Sequence, residues 1–148
     1  MIVLDTNVLS ELMRPVPDPA VERWLADQPA ASVFISAITE AELRYGVALL
    51  PNGKRRSTIA VEIEGMLSEE FSGRILPFDS PAAVAFAEIA ADRRQAGRPI
   101  SQADAQIAAI ARSRGAALAT RNVSDFEGCG VGWSIRGNPL RYDQRRYL

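Results

Sequence analysis

The sequence predicts an α/β domain of three layers, with helices on both faces of a mainly parallel, five-stranded sheet. Three observations carry that expectation. Short apolar segments alternate with longer stretches of helical period, which implies right-handed crossovers between parallel strands. The 148 residues suit one domain, and a hydrophobic content of 47% is enough for a core. No repeat, low-complexity tract or linker divides the chain, so one domain is expected over residues 1–140, with a short tail over 141–148.

The first strand is expected over residues 2–4, where Ile2, Val3 and Leu4 run without a polar break. A helix follows near Val8 and another over 19–26. A second strand over 33–36 leads into a helix over 38–50. The next helix, 55–70, sets Ile59, Ile63, Met66 and Leu67 on one stripe, with Arg56, Glu62 and Glu69 off it. A strand over 75–78, helices over 81–95 and 102–114, and a strand over 117–120 complete the alternation, mostly punctuated by Pro, Gly, Ser or Asn. A weaker fifth strand is expected over 131–135. Beyond it, Arg141, Arg145 and Arg146 with Tyr142 and Tyr147 make a basic-aromatic tail suited to ordering against a partner.

Composition narrows the chemistry. There are 17 basic and 18 acidic side chains, so binding nucleic acid by global positive charge is disfavoured, although a local basic patch is not. The single cysteine, Cys129, forbids an internal disulfide framework and a cysteine-rich zinc site, and suits a reducing cytosol. The chain has no histidine. Serine and cysteine triads, histidine-pair RNA cleavage and histidine-ligated zinc are thereby removed, which leaves carboxylates as carriers of hydrolytic chemistry. With neither a leader-like start nor a membrane-length apolar run, a cytoplasmic protein is expected.

Ligand sites of open α/β sheets collect at the carboxyl ends of the strands. Asp5 directly follows the first strand, where Asp5, Thr6 or Asn7 also suits a helix cap. Glu42 follows the second strand; Thr39 with Glu42 fits a capping box, yet Glu42 shares a helical stripe with Ile38, Tyr45 and Leu49. An acid on an apolar stripe costs desolvation unless something compensates it. Asp104 also begins a helix, after Ser101, and falls on the stripe of Ile107, Ala108 and Ala111. Thr120, Asn122 and Asp125 follow the fourth strand. Carboxylates about 4 Å apart repel by roughly 4 kcal/mol at an effective dielectric of 20, so such a cluster needs a cation. Oxygen-only donors point to Mg²⁺ or Mn²⁺, and the chemistry suggested is phosphodiester hydrolysis.

These segments resemble the PIN-domain ribonucleases, in particular the VapC-type toxins of bacterial toxin–antitoxin pairs and their FitB-like relatives. The matching residues are Ile2-Val3-Leu4-Asp5-Thr6-Asn7, Ser36-Ala37-Ile38-Thr39 leading to Glu42-Leu43-Arg44-Tyr45-Gly46, Ile75-Leu76-Pro77-Phe78-Asp79, Ala103-Asp104-Ala105-Gln106-Ile107-Ala108 and Ala119-Thr120-Arg121-Asn122. The resemblance implies a PIN-like fold, an acidic pocket binding Mg²⁺ or Mn²⁺, RNA cleavage, and commonly a homodimer inhibited by a small antitoxin. It assigns Asp5, Glu42 and Asp104 as the principal acids. At the fourth position relatives often carry Asp where Asn122 stands, or an acid three residues on. Asp125 is therefore expected as a further ligand or as a group acting through water, with Asn7, Thr39, Thr120 and Asn122 in support. The family usually ends soon after its last strand and an Asn-Pro like Asn138-Pro139, so it assigns nothing beyond Pro139.

Two other readings compete. An aspartyl-phosphate enzyme needs a second Asp two residues after the first, where Asn7 stands, and a positioned lysine, whereas Lys54 is the only one. A noncatalytic acidic pocket that engages a partner's arginine is the stronger alternative. Among basic residues, Arg121 is expected to contact RNA because of its place beside the site. Lys54-Arg55-Arg56, Arg93-Arg94 and Arg98 suit a bracket around the site that holds RNA phosphates, and read equally well as solvated helix ends. Trp24, Trp133 and Cys129 are expected to serve packing.

Overall fold

The computed structural model describes residues 1–131. Among them, four parallel strands, β1 (Ile2–Leu4), β2 (Val33–Ser36), β3 (Ile75–Leu76) and β4 (Ala117–Ala119), pair in the order β3-β2-β1-β4. This is the parallel sheet expected from the alternation. The fifth strand expected over 131–135 and the tail over 141–148 lie outside the described residues, except for Val131, which is buried. β3 is shorter than expected because Pro77 has no N–H to extend the ladder.

Among the described residues six α-helices cover the sheet: α1 (Thr6–Leu12), α2 (Pro19–Ala26), α3 (Ala37–Ala48), α4 (Lys54–Gly65), α5 (Ser80–Gln95) and α6 (Gln102–Ser113). Most starts are chemically marked. Asp18 caps α2 ahead of Pro19, Asp79 caps α5 and Ser101 caps α6. α4 continues into a π-helical turn, Met66–Glu70, which completes the expected 55–70 stretch. At the far end of α6, Gly115 has φ +64°, a left-handed conformation that ends the helix and aims the chain into β4.

Strand residues divide between two cores with a period of two. Val3 and Leu118 pack with Ile89, Ile107 and Ile110 beneath α5 and α6. Ile2, Leu4 and Ala119 pack on the opposite face with Val8, Val21, Leu43 and Ile63, beneath the first four helices. Trp24 lies against that second core, as its packing role requires, while Trp133 lies outside the described residues. Because the strands are parallel, the exits of β1, β2 and β4 gather at one edge of the sheet, and the start of α6 joins them there.

Candidate functional site

Asp5 is 4% exposed and is held on three sides. Its N–H donates to Ala119 O at 2.8 Å, Oδ1 accepts from the N–H of Thr6 at 2.8 Å, and Oδ2 accepts from the Thr120 hydroxyl at 2.8 Å. Asp5 therefore does cap α1. Burial raises its carboxyl to about 6; the Thr120 bond opposes that rise, and the charges of Asp104 and Glu42 add to it.

Glu42 is held differently from the expectation. Ser36 caps α3 by accepting from the N–H of Thr39, so the Thr39–Glu42 capping box is corrected to a Ser36 cap one turn earlier. The supposed apolar stripe is corrected too. Tyr45 and Leu49 are each 66% exposed, and it is Thr39 and Leu43 that are buried. Glu42 is exposed and is oriented by Thr6, whose hydroxyl donates to Oε1 at 2.9 Å. Since Thr6 has one hydroxyl proton, its 2.9 Å contact with Thr39 makes Thr39 the donor. Ser36 in turn lies 3.4 Å from Thr39 as a donor. A row of hydroxyls thus runs from Ser36 through Thr39 and Thr6 to Glu42.

Asp104 sits in the first turn of α6, half-buried, and its N–H donates to Ser101 Oγ at 3.2 Å. Ile107, Ala108 and Ala111 are fully buried, as the helical stripe requires. Burial pushes the Asp104 carboxyl up; the Ser101 bond and the charge of Arg93 oppose this, and the nearby charge of Asp125 reinforces it. Thr120, itself buried, accepts from the N–H of Asn122 at 3.0 Å while donating to Asp5, so one hydroxyl links the two. Asn7 accepts from the N–H of Arg121 at 3.4 Å.

Beside these acids lies a group that composition and spacing did not reveal. Glu11 is buried and accepts from Arg14 at 3.1 Å and from the N–H of Asp18 at 2.9 Å. Arg121 reaches Glu11 at 3.2 Å and Asp18 at 3.4 Å, so its guanidinium is already engaged. Arg14 remains largely exposed. The hydrogen bond from Arg14, more than the nearby charge of Arg121, holds Glu11 below the usual carboxylate range despite the burial that opposes it.

Asp5, Glu42, Asp104 and Asp125 line one cleft of about 510 Å³, with Asn122 and Arg14 also on its wall. None of the four acids forms an ion pair among the described residues. Nor, as the side chains stand, do any three described acids close around one point tightly enough to clasp an ion. The donor set nonetheless suits Mg²⁺ or Mn²⁺. It is all oxygen, and Mg²⁺ commonly takes one or two carboxylates while keeping several waters, through which further acids act.

The sequence pattern of the PIN domain matches residues 2–127. A VapC ribonuclease of Sinorhizobium fredii is 45% identical over 131 residues, covering 88% of this chain and 94% of the relative. Toxin FitB of Neisseria gonorrhoeae is 45% identical over 126 residues, covering 85% and 91%. Among solved structures, a FitAB complex bound to a DNA fragment superposes with a TM-score of 0.86 at 42% identity, covering 91% of this chain and 95% of the other. The acid-lined sheet edge, the matched segments and the shared fold place this chain in the PIN-domain family, beside the VapC and FitB toxins.

Proposed function

We propose that the protein is a metal-dependent endoribonuclease, the toxin of a type II toxin–antitoxin pair, which hydrolyses RNA phosphodiester bonds in the cleft of Asp5, Glu42, Asp104 and Asp125. The observation that carries this reading is the gathering of four carboxylates without an ion-pair partner among the described residues. Relatives named as ribonucleases support the activity, and solved toxin–antitoxin complexes support the partner. A homodimer, alone or within a hetero-oligomer with the antitoxin, is part of the same proposal.

Asp5, Glu42 and Asp104 would hold Mg²⁺ or Mn²⁺, with Asp125 as a further ligand or acting through water. When bound, the cation supplies water activation and neutralises charge on the leaving oxygen. Thr120 keeps the Asp5 carboxylate turned towards the cleft, and Thr6 does the same for Glu42. Asn122 and Asn7 act as positioning groups on the loop after β4 and at the start of α1. Arg14, exposed on the cleft wall, is better placed than Arg121 to meet an RNA phosphate, because Arg121 would first have to leave Glu11 and Asp18.

The same charge suits inhibition by an antitoxin that directs an arginine at the acids, since a guanidinium satisfies two carboxylates and excludes the cation. A pocket that only binds such an arginine predicts no cleavage by the free protein. Purified, antitoxin-free protein is therefore expected to cut a structured RNA with Mn²⁺, to stop with EDTA, and to lose the activity in Asp5→Asn, Glu42→Gln and Asp104→Asn. Cleavage that persists in all three folded variants would remove the site from consideration.

A further inference from the structure

Arg93 occupies the last turn of α5 and is only 7% exposed. The expectation of a solvated helix end therefore holds for Arg94, which is exposed, and fails for Arg93. A buried guanidinium is costly unless its donors and charge are satisfied. Among the described residues Arg93 forms no ion pair. Main-chain carbonyls take its direct bonds, while its charge also acts on nearby Asp104. Nε donates to Arg98 O at 2.6 Å, and Nη1 donates to Asp125 O at 2.8 Å and to Glu127 O at 3.0 Å. The Sγ of buried Cys129 lies 3.9 Å from the same nitrogen.

Two of those carbonyls belong to the loop that brings Asn122 and Asp125 to the cleft. The loop is a single 3-10 turn, Val123–Phe126, whose internal bond runs from the N–H of Asp125 to Asn122 O at 3.1 Å. That bond shapes the turn without fixing its place against α6, where Asp104 sits. Phe126 fixes it by burial and Arg93 by directed bonds, one of them to the residue whose side chain lines the cleft.

Resting on the metal-site reading above, we propose that Arg93 is a positioning residue of that site: by gripping the carbonyls of Asp125 and Glu127 it presents the Asp125 carboxylate to the cation alongside Asp104. A lysine has a point charge and no rigid fork, so it replaces this grip only in part.

The test is a double-mutant cycle read by Mn²⁺ binding, with free Mn²⁺ followed by electron paramagnetic resonance. The proteins are the full-length parent, Arg93→Gln, Arg93→Lys, Asp125→Asn and the Arg93→Gln/Asp125→Asn double variant. Arg93→Gln is expected to weaken Mn²⁺ binding about 10–100-fold, the range for outer-shell partners of metal ligands. Arg93→Lys should recover part of that loss. In the Asp125→Asn background, Arg93→Gln should add less than about twofold, because residues acting through one another are not additive. If Arg93→Gln fails to fold, the cycle is run with Arg93→Lys, for which the same loss of additivity is expected. Equal weakening in both backgrounds overturns the proposal, as does a lower Tm with unchanged Mn²⁺ affinity of the folded protein. A parent that binds no Mn²⁺ is a separate result: it overturns the metal-site reading, and Arg93's role in it.

Discussion

Asp5 and Glu11 stand at the two ends of α1, equally hidden from solvent at 4% and 6% exposure, and the fold treats them in opposite ways. Glu11 receives two arginines and a main-chain N–H, and titrates below the usual range chiefly because Arg14 donates to it. Asp5 receives a hydroxyl and a main-chain N–H but no cation, and burial lifts it to about 6. Burial is therefore a poor mark of a functional acid. The discriminating feature is whether the protein provides the opposite charge itself or leaves it to a ligand.

The strongest way to break this contrast is to remove charge from the unpartnered acids. Asp5→Asn and Asp104→Asn are expected to lower RNA cleavage in Mn²⁺ by more than about 100-fold, beyond the range of groups that act through a ligand. Glu11→Gln should leave the metal requirement of cleavage in place. A metal-concentration series on each purified variant makes the comparison.

Stability should separate the two acids by sign. Asp5 in the folded protein holds its proton up to about pH 6, against 3.8 for an ordinary aspartate, so metal-free stability falls as pH rises between those values and stays lower above them. Asp5→Asn is then expected to be about 3 kcal/mol more stable than the parent at pH 7.5 in EDTA, and indistinguishable from it near pH 3. Glu11 has the reverse linkage. Its stabilisation is present above the ordinary value of 4.5 and is lost as pH falls through its lowered folded value. Glu11→Gln should accordingly be the less stable protein at neutral pH, with the difference closing in acid. Urea denaturation from pH 3 to 8 reads both; variants that shift in the same direction would show that the contrast is wrong.

Smaller effects sharpen the picture around the cleft. Asp125→Asn and Asn122→Ala are expected to reduce cleavage at limiting Mn²⁺ by about 10–100-fold, while Asn122→Asp retains or improves metal affinity. Unchanged activity in the first two would leave a three-carboxylate site. Thr6→Val cuts the hydroxyl row before Glu42 and removes a bond worth roughly 0.5–1.5 kcal/mol. It should slow cleavage several-fold, with Thr6→Ser restoring the rate.

Much of this arrangement was legible in the chain. Strand exits followed from apolar runs, and Asp5, Glu42, Asp104, Asn122 and Asp125 all reach the same cleft. What misled was local ambiguity. In α3 the stripes through Ile38, Tyr45 and Leu49 and through Thr39, Leu43 and Val47 are similarly apolar, and periodicity alone does not say which meets the sheet. The polar supports were hidden for another reason. Arg121 lies 110 positions from Glu11 and Arg93 lies 32 from Asp125, so neither pairing has a spacing to read. Thr6 stood inside a matching segment, but its bond to Glu42 depends on the placing of α1 against α3.

The pairing of β1 with β4 also has a temporal side. Asp5 is made before its hydroxyl partner Thr120 and the cleft residues Asn122 and Asp125, which come more than a hundred positions later. Contacts of such sequence separation form late, because a long loop must close before they contribute. A ribosome that has translated only as far as the end of α6 therefore carries a chain with Asp5, Glu42 and Asp104 but no β4 to close the sheet edge around them. Synthesis at about 5–20 residues per second sets a delay of roughly 6–24 seconds between Asp5 and the completed cleft. On the proposed reading, an enzyme that attacks RNA is thereby kept unfinished while the messenger and ribosome that produce it are still in use.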